Sequence, residues 1–328
     1  DSSFAVGGVS FGTRDLNFTY QNLSQIPGGS YSGTGVYTGS YSGSYSSSQY
    51  QFNMSGTAYV TIGGMTDLSV SLGHSSTVNG VTTTTPGLII VNGKLEALDV
   101  TVNAAFEVGK TQFGVKDLEF TYQNTSQIPT GATRTTGVVY AGTYDTGKSY
   151  DTSKFEFCMS GTGYVMVGGM NGLSVTFGHT NRVTGDKTPG LILVNGKLEA
   201  IDVTINADFT VSAVKYGVDD LEFTYQNMSQ IPDGTSYQAG TVYNGVYDTG
   251  RSYNAANYQF SMSGTAFVEF GGINRLSVTL GHTNTVTGYV TPGLIIRNGN
   301  LESLDVTVNA DFRVCLLYTS DAADEGLG

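Results

Sequence analysis

Three near-identical copies of one segment constrain this chain more than any other feature of its sequence. The segment GLIIVNGKLEALDVTVNAAF begins at Gly87 and returns with few changes at Gly190 and Gly293, which gives a period of 103 residues. The nonapeptide TYQNxSQIP also occurs three times, about one period apart. Internal repeats are considered first because a missed repeat misassigns the whole fold. The chain is therefore predicted to consist of tandem copies of one structural unit.

The period divides the chain into units with defined boundaries. Residues 1–86 form a partial first repeat, residues 87–189 and 190–292 form complete repeats, and residues 293–314 begin another. The last segment, 315–328, follows no pattern of the preceding chain and resembles the translation of a sequencing adapter read through in frame. We expect this tail to be an artefact, to be excluded from structural reasoning. Both ends of the chain are expected to be cut from a longer array.

Composition indicates a chain that is rich in strands and turns and carries little charge. Of its 328 residues, 45 are glycine, 21 tyrosine and 16 phenylalanine, and only 13% are charged. The net charge of −12 argues against a nucleic-acid partner, because a phosphate backbone is bound by clustered Lys and Arg. No apolar run approaches the roughly 18 residues that a membrane helix needs, so we predict no membrane span.

Strict alternation of apolar and polar residues predicts strands in every repeat. Apolar residues occupy every second position from Leu98 to Val108. A second alternating run starts at Tyr50 and recurs from Phe155 and from Tyr258. The fold class predicted from these patterns is all-β.

Two arrangements of the predicted strands fit the sequence. The segments LDVTVNAAFEVG…DLEFTY and YQFNMSGTAYVTIGG…DLSVSL can be aligned, so each repeat has two halves with spacings near twenty residues. Such spacings favour an elongated β-solenoid with about four coils per repeat, in which each coil buries its apolar face against its neighbours. The alternative is a tandem array of antiparallel β-meander or sandwich modules, favoured by the uninterrupted alternation over eleven to thirteen residues.

The repeated nonapeptide TYQNxSQIP predicts the point at which a strand ends. Asn and Ser hydrogen-bond their own backbone in turns, and Pro cannot continue a strand ladder. The segment that follows is rich in tyrosine and carries DTGK or DTGR in two copies, which predicts the tip of a projecting hairpin.

Tyrosines on such hairpins are the candidate binding residues. Exposed tyrosines provide large contact areas at low entropic cost and could stack on sugar rings. The alternative interpretation is cross-strand aromatic pairing that holds the hairpin together. The residues concerned are Tyr37, Tyr41, Tyr45, Tyr140, Tyr144, Tyr150, Tyr243, Tyr247 and Tyr253.

No constellation in the sequence predicts a catalytic site or a dedicated metal site. The histidines His74, His179 and His282 fall one per repeat, and we expect each of them to end a strand beside a glycine. Without the tail, Cys158 is the only cysteine, and it stands where other repeats have Asn or Ser. We therefore interpret it as a tolerated surface substitution that forms neither a disulfide nor a metal site.

The acidic residues of the alternating strand are expected on a solvated face. Stacked in a solenoid they could bind calcium through oxygen ligands, but the DxDxDG loop and the glycine-rich nonapeptides of dedicated calcium sites are absent. We therefore predict no cofactor, with calcium as a weak alternative. The residues are Glu96, Asp99, Glu199, Asp202, Glu302 and Asp305.

Near-identical β-rich repeats without Trp, with scarce Cys and little charge, resemble the repeat arrays of very large bacterial surface and adhesin-type proteins. The resemblance covers Asp1 to Val314. It implies a non-catalytic structural or adhesive region of an exported bacterial surface or extracellular-matrix protein. Weak sites multiplied along such an array give avidity. The partners implied are glycans or cell-surface polymers, neighbouring repeats of the same chain and further copies of the chain.

Two alternative functions are kept. A polysaccharide-active enzyme of the β-helix type would need one irregular cluster of charged residues, whereas here each candidate recurs at every period. A self-assembling fibre would be favoured by exposed strand edges at the ends of the array.

Overall fold

The computed structural model of the chain is all-β, as predicted. It describes residues 1–6, 8–62, 65–78, 81–167, 170–180, 187–271, 274–283 and 290–311. None of these segments forms a helix with the length and apolarity needed to cross a membrane. The strands are β1 (Ser2–Val6), β2 (Val9–Asn22), β3 (Tyr50–Ile62), β4 (Met65–Leu72), β5 (His74–Val78), β6 (Val81–Thr85), β7 (Leu88–Val91), β8 (Lys94–Val108), β9 (Thr111–Asn124), β10 (Phe155–Val167), β11 (Met170–Phe177), β12 (His179–Thr180), β13 (Lys187–Thr188), β14 (Leu191–Val194), β15 (Lys197–Val211), β16 (Val214–Asn227), β17 (Tyr258–Phe270), β18 (Asn274–Leu280), β19 (His282–Thr283), β20 (Val290–Thr291), β21 (Leu294–Arg297), β22 (Asn300–Leu304) and β23 (Val306–Asp311).

Seventeen of these strands form one antiparallel sheet. Strands pair in chain order, β2 with β3, β8 with β9, β9 with β10, β15 with β16 and β16 with β17, all antiparallel. The structure does not show the β-solenoid that the twenty-residue spacing favoured. It has the meander-like connectivity of the alternative, because that spacing comes from long hairpins such as β8–β9 and β3–β4.

One row of the sheet is built from two short strands. β4 and β7 follow each other end to end in this row. Both pair with β3 on one side, each with a different part of it, and both pair with β8 on the other side. Between them the chain leaves the sheet to form the small hairpin β5–β6. Gly73 and Gly87 stand where it leaves and returns, and a Cβ on Gly87 would overlap the backbone of Gly73. The GH and PG dipeptides of the sequence therefore mark a close approach of two backbones that only glycine permits.

The same rows continue from one sequence repeat into the next. β8, β9 and β10 have 15, 14 and 13 residues, and β15, β16 and β17 have the same lengths. β11 and β14 both pair with β10 on one side and with β15 on the other. Main-chain hydrogen bonds therefore cross the boundary between residues 189 and 190 without a linker.

The two faces of the sheet carry different side chains, because side chains alternate along each strand. Leu98 and Val100 lie opposite Tyr122 and Phe120 of β9 on one face, which we call the apolar face. These side chains are half-buried, and the rings of Phe120 and Tyr122 pack against aromatic rings of β10. Ala97, Asp99 and their partners on β9 lie on the other face, which we call the covered face.

The tyrosine-rich segments 23–49, 125–154 and 228–257 contain no strand, so the prediction of a strand-built hairpin is wrong. Segments 125–154 and 228–257 fold back onto the covered face and build the two hydrophobic cores. Each buried aliphatic side chain contributes roughly 1.5–3 kcal/mol. One core contains Ile89, Val91, Ala97, Ile128, Val139 and Tyr144, and the other Cys158, Ile192, Val194, Ala200, Ile231, Val242 and Tyr247.

The strands end at the asparagine of TYQNxSQIP, two residues beyond the tyrosine at which the motif predicted their end. The Oδ1 of Asn124 accepts a hydrogen bond from the backbone N–H of Ser126 at 3.0 Å, and its Nδ2 donates to the carbonyl of Asp151 at 2.8 Å. Asn124 is completely buried. One side chain therefore ties the beginning of segment 125–154 to its end.

Candidate functional site

A histidine and two carboxylates meet where the split row of the sheet opens. The N–H of Gly73 donates to the carbonyl of Asp99 at 2.9 Å, and the N–H of Asp99 donates to the carbonyl of Gly87 at 2.7 Å. This register places His74, the residue after Gly73, beside the Asp99 side chain. Glu119 of β9 lies on the same face, two residues along the strand from the partner of Asp99.

The cluster has the same geometry in two consecutive repeats. His74 Nδ1 lies 2.9 Å from Asp99 Oδ2, and His179 Nδ1 lies 2.5 Å from Asp202 Oδ2. In each cluster the ligand atoms of the histidine, the aspartate and the glutamate lie within 4.8 Å of one another. The glutamates are Glu119 and Glu222.

A histidine–aspartate pair also occurs at the next period. His282 Nδ1 lies 2.9 Å from Asp305 Oδ2. Both side chains are partly exposed. The position one period after Glu222 lies outside the described residues.

Burial differs between the members of the two complete clusters. The side chains of Asp99 and Asp202 are 2% and 0% exposed, whereas those of His74 and His179 are 46% and 36% exposed. The Oδ1 atoms of both aspartates are buried and accept no hydrogen bond from the described residues. A buried carboxylate oxygen without a hydrogen-bond partner destabilises the folded state by the free energy of its desolvation.

His74 and His179 each border an open cleft on the covered face. The cleft beside His179 has a volume of about 260 Å³ and is also lined by Ser160 and Thr162. The cleft beside His74 is lined by the corresponding residues Ser55 and Thr57. The clusters can therefore be reached from solvent on the histidine side.

The charges within the second cluster are coupled. Burial, together with the negative charge of Asp202, raises the pKa of Glu222 to about 7. The hydrogen bond to Asp202 raises the pKa of His179, although burial acts in the opposite direction. A histidine with two close carboxylates can share protons or hold a divalent cation.

Two further carboxylates are buried beneath the tyrosine-rich segments. Glu96 and Glu199 are the extra residues at bulges in the β7–β8 and β14–β15 pairings. Both are 0% exposed, and neither carboxylate oxygen of either residue has a hydrogen-bond partner among the described residues. Burial raises the pKa of each to about 7, opposed by the charges of Lys94 and Lys197.

The expectation of a solvated carboxylate face is wrong for four of the six residues. Glu302, which no tyrosine-rich segment covers among the described residues, is exposed, and Asp305 is partly exposed. Glu96 and Glu199 lie beneath the tyrosine-rich segment of their own repeat, and Asp99 and Asp202 are buried beside a histidine, long-range contacts that alternation within a strand cannot reveal. The four buried residues are Glu96, Asp99, Glu199 and Asp202.

Cys158 is not a surface residue, which corrects the sequence-based interpretation. Its side chain is 2% exposed and lies in the core beneath segment 228–257. Burial, assisted by the charge of Glu156, raises its pKa well above the usual range. The thiol is therefore held protonated.

The candidate tyrosines fall into buried and exposed groups. Tyr144 and Tyr247 are each 5% exposed. Their hydroxyls donate to the carbonyls of Tyr140 and Tyr243 at 2.8 and 2.9 Å, and the rings of each pair meet edge to face. These four rings hold their segments together.

Two other tyrosines bind the segments to the sheet. Tyr150 donates to the carbonyl of Leu95 at 2.6 Å, and Tyr253 donates to that of Leu198 at 2.8 Å. Lysine ammonium groups lie over both rings, at 4.8 and 5.2 Å from the centroids.

The first tyrosine-rich segment presents more of its rings to solvent. Tyr41 and Tyr45 are 49% and 64% exposed, whereas Tyr37 is partly buried. No strand pair equivalent to β7–β8 precedes this segment among the described residues. Its outer rings therefore have no sheet to cover.

Sequence reasoning missed one buried ion pair. Arg134 Nη2 lies 3.3 Å from Glu156 Oε2, and the two side chains are 12% and 7% exposed. The other repeats have tyrosine at the arginine position and glutamine at the glutamate position. The two positions change together between repeats, and this joint change could have predicted their contact. The corresponding pairs are Tyr31 with Gln51 and Tyr237 with Gln259.

The fold and the clusters define an antiparallel all-β chain in which a histidine–aspartate pair recurs at one period, at His74, His179 and His282. No family model, curated protein or solved structure matches this chain.

Proposed function

We propose that the chain is a non-catalytic structural region of an exported bacterial surface or extracellular-matrix protein, acting as a stiff spacer. The observation that carries the proposal is the strand ladder that continues through β11 and β14 into β15. Each repeat adds four strand rows, so the array grows by roughly 19 Å per repeat at about 4.8 Å per row. Length then depends on repeat number alone.

Contacts between tyrosine-rich segments support stiffness as well as length. Thr136 Oγ1 donates to the carbonyl of Gly245 at 2.7 Å, and the backbone N–H of Thr136 donates to the carbonyl of Asn244 at 3.3 Å. Thr143 Oγ1 donates to the carbonyl of Tyr31 in the same way. Successive repeats are joined both through the sheet and through the layer above it, which resists bending.

Small-angle X-ray scattering tests the spacer. The comparison is between this chain and a version with one additional copy of residues 190–292 inserted at the repeat boundary. We expect the maximum dimension to increase by roughly 19 Å. A glycine–serine insertion of equal length is the control and should broaden the distribution of dimensions. An additional repeat that gives no increase, or that behaves like the flexible control, contradicts the proposal.

Weak multivalent binding of glycans or cell-surface polymers forms the adhesive part of the proposal. The exposed rings of Tyr41 and Tyr45 favour it. Binding to immobilised polysaccharides should fall in Tyr41→Ala/Tyr45→Ala. It should persist in Tyr216→Ala, which removes an exposed ring outside the tyrosine-rich segments. Equal binding by both variants would refute the adhesive part and leave the spacer unaffected.

A further inference from the structure

We propose that each complete histidine–aspartate–glutamate cluster binds one divalent transition-metal ion. The inference is separate from the spacer proposed above, because it rests on side-chain geometry and not on the strand ladder. The first site consists of His74, Asp99 and Glu119, and the second of His179, Asp202 and Glu222.

The distances within the clusters suit a common ion. In tetrahedral geometry, ligands at about 2.0–2.2 Å from a zinc-like ion lie roughly 3.3–3.6 Å apart. The imidazole nitrogen and the nearest carboxylate oxygen are 2.9 Å apart in the first cluster and 2.5 Å apart in the second, so each pair would separate by roughly 0.5–1 Å when an ion replaces the proton of their hydrogen bond. The glutamate oxygen lies within 4.8 Å of both of these atoms, and rotation of the glutamate side chain can shorten the two distances.

The buried aspartate oxygens are an independent indication of a ligand. Asp99 Oδ1 and Asp202 Oδ1 are buried, and no described residue donates to them. A cation at the cluster would satisfy these atoms and compensate two adjacent carboxylates. The partial exposure of the histidines, which border open clefts, provides a route for the ion.

The ligand set favours a transition metal over calcium or magnesium. Imidazole suits ions such as Zn²⁺, whereas Ca²⁺ and Mg²⁺ prefer oxygen ligands and more of them. Three protein ligands also leave at least one coordination position for water, as in open zinc sites.

The position of the sites in the array has a structural consequence. His74 belongs to residues 1–86, whereas Asp99 and Glu119 belong to residues 87–189. The second site joins residues 87–189 to residues 190–292 in the same way. A bound ion would therefore cross-link neighbouring repeats, and metal should raise the thermal stability of the array.

Calorimetric titration with ZnCl₂ tests the inference. The protein is the full, untagged chain carrying Cys315→Ser, stripped of metal, so that neither a tag nor the Cys315 thiol supplies ligands. We expect two Zn²⁺ ions per chain and no saturable binding of Ca²⁺ or Mg²⁺. Glu222→Gln should leave Zn²⁺ binding at the first cluster unchanged and weaken Zn²⁺ binding at the second cluster more than about tenfold. Unchanged binding at the first cluster then shows that the variant is folded.

The double variant Glu119→Gln/Glu222→Gln should lose both sites, and the control Glu107→Gln, an exposed glutamate outside the clusters, should keep both. The inference is overturned if wild-type protein shows no saturable Zn²⁺ binding. It is also overturned if the double variant binds as wild type does, or if Ca²⁺ binds in place of Zn²⁺.

Discussion

Replacing Glu96 with glutamine should remove a pH-dependent weakness of this fold. Glu96 is buried beneath segment 125–154, and its carboxylate has no hydrogen-bond partner among the described residues. Burial raises its pKa from 4.5 to about 7. Because the folded state binds this proton more tightly than the unfolded state, the resulting stability is complete below about pH 4.5. It is lost as the pH rises through about 7.

The size of the effect follows from the pKa shift. One pKa unit corresponds to about 1.4 kcal/mol, so the shift sets an upper value of about 3 kcal/mol for the loss of stability at high pH. The charge of Lys94 opposes the shift and is already included in it. Relaxation of the covering segment and solvent screening reduce the effect, and we expect about 1–2 kcal/mol.

Urea unfolding at about pH 5 and pH 8, followed by tyrosine fluorescence, measures the effect. The free energy of unfolding of wild-type protein should fall between the two pH values. In Glu96→Gln the fall should be smaller by about 1–2 kcal/mol, mainly because the variant is more stable at high pH. Glu302→Gln is the matched control, since Glu302 occupies the same position two periods later but is exposed. If both variants keep the wild-type pH dependence, the buried carboxylate is not its source.

Three further changes test the packing, each measured by urea unfolding. Gly87→Ala should cost more than about 3 kcal/mol because its Cβ would overlap the backbone of the neighbouring strand, whereas Gly28→Ala, which meets open space, should cost less than about 0.5 kcal/mol. Arg134→Tyr should cost about 3–5 kcal/mol by leaving Glu156 buried without its cation. Adding Glu156→Gln should restore most of this loss, and additive costs would contradict the coupling. Asn124→Ala should cost about 1–3 kcal/mol and speed hydrogen exchange in segment 125–154; unchanged exchange would show that this side chain does not hold the segment.

Local patterns were sufficient for the strands and their ends. Alternation from Leu98 to Val108 predicted β8, and the turn residues of TYQNxSQIP predicted the end of β9 to within two residues, at Tyr122 in place of Asn124. Both signals depend only on residues close together in the sequence, so they predict the strands correctly whichever way the strands pair. The choice between solenoid and meander was not local. A spacing near twenty residues fits a coil as well as a long hairpin, and only the pairing partners distinguish the two.

The clusters illustrate the same limit. His74 and Asp99 are 25 residues apart, and Glu119 lies on the next strand. Their meeting depends on the split row at Gly73 and Gly87, which no periodicity in the sequence indicates. Glu96 was predicted to face solvent because its strand alternates, yet the segment that begins at Thr125 covers it.

The sequence by itself determined the repeat, its period, the all-β class and the places where strands end, because these follow from side-chain alternation and turn chemistry along the chain. Tertiary structure alone decided that the strands form one antiparallel sheet, that the tyrosine-rich segments close over one face, and that histidines and carboxylates converge between repeats. Those outcomes depend on which distant backbones pair and which charges lose contact with water. Such contacts are set by the free energy of the whole fold and are not encoded in any single stretch.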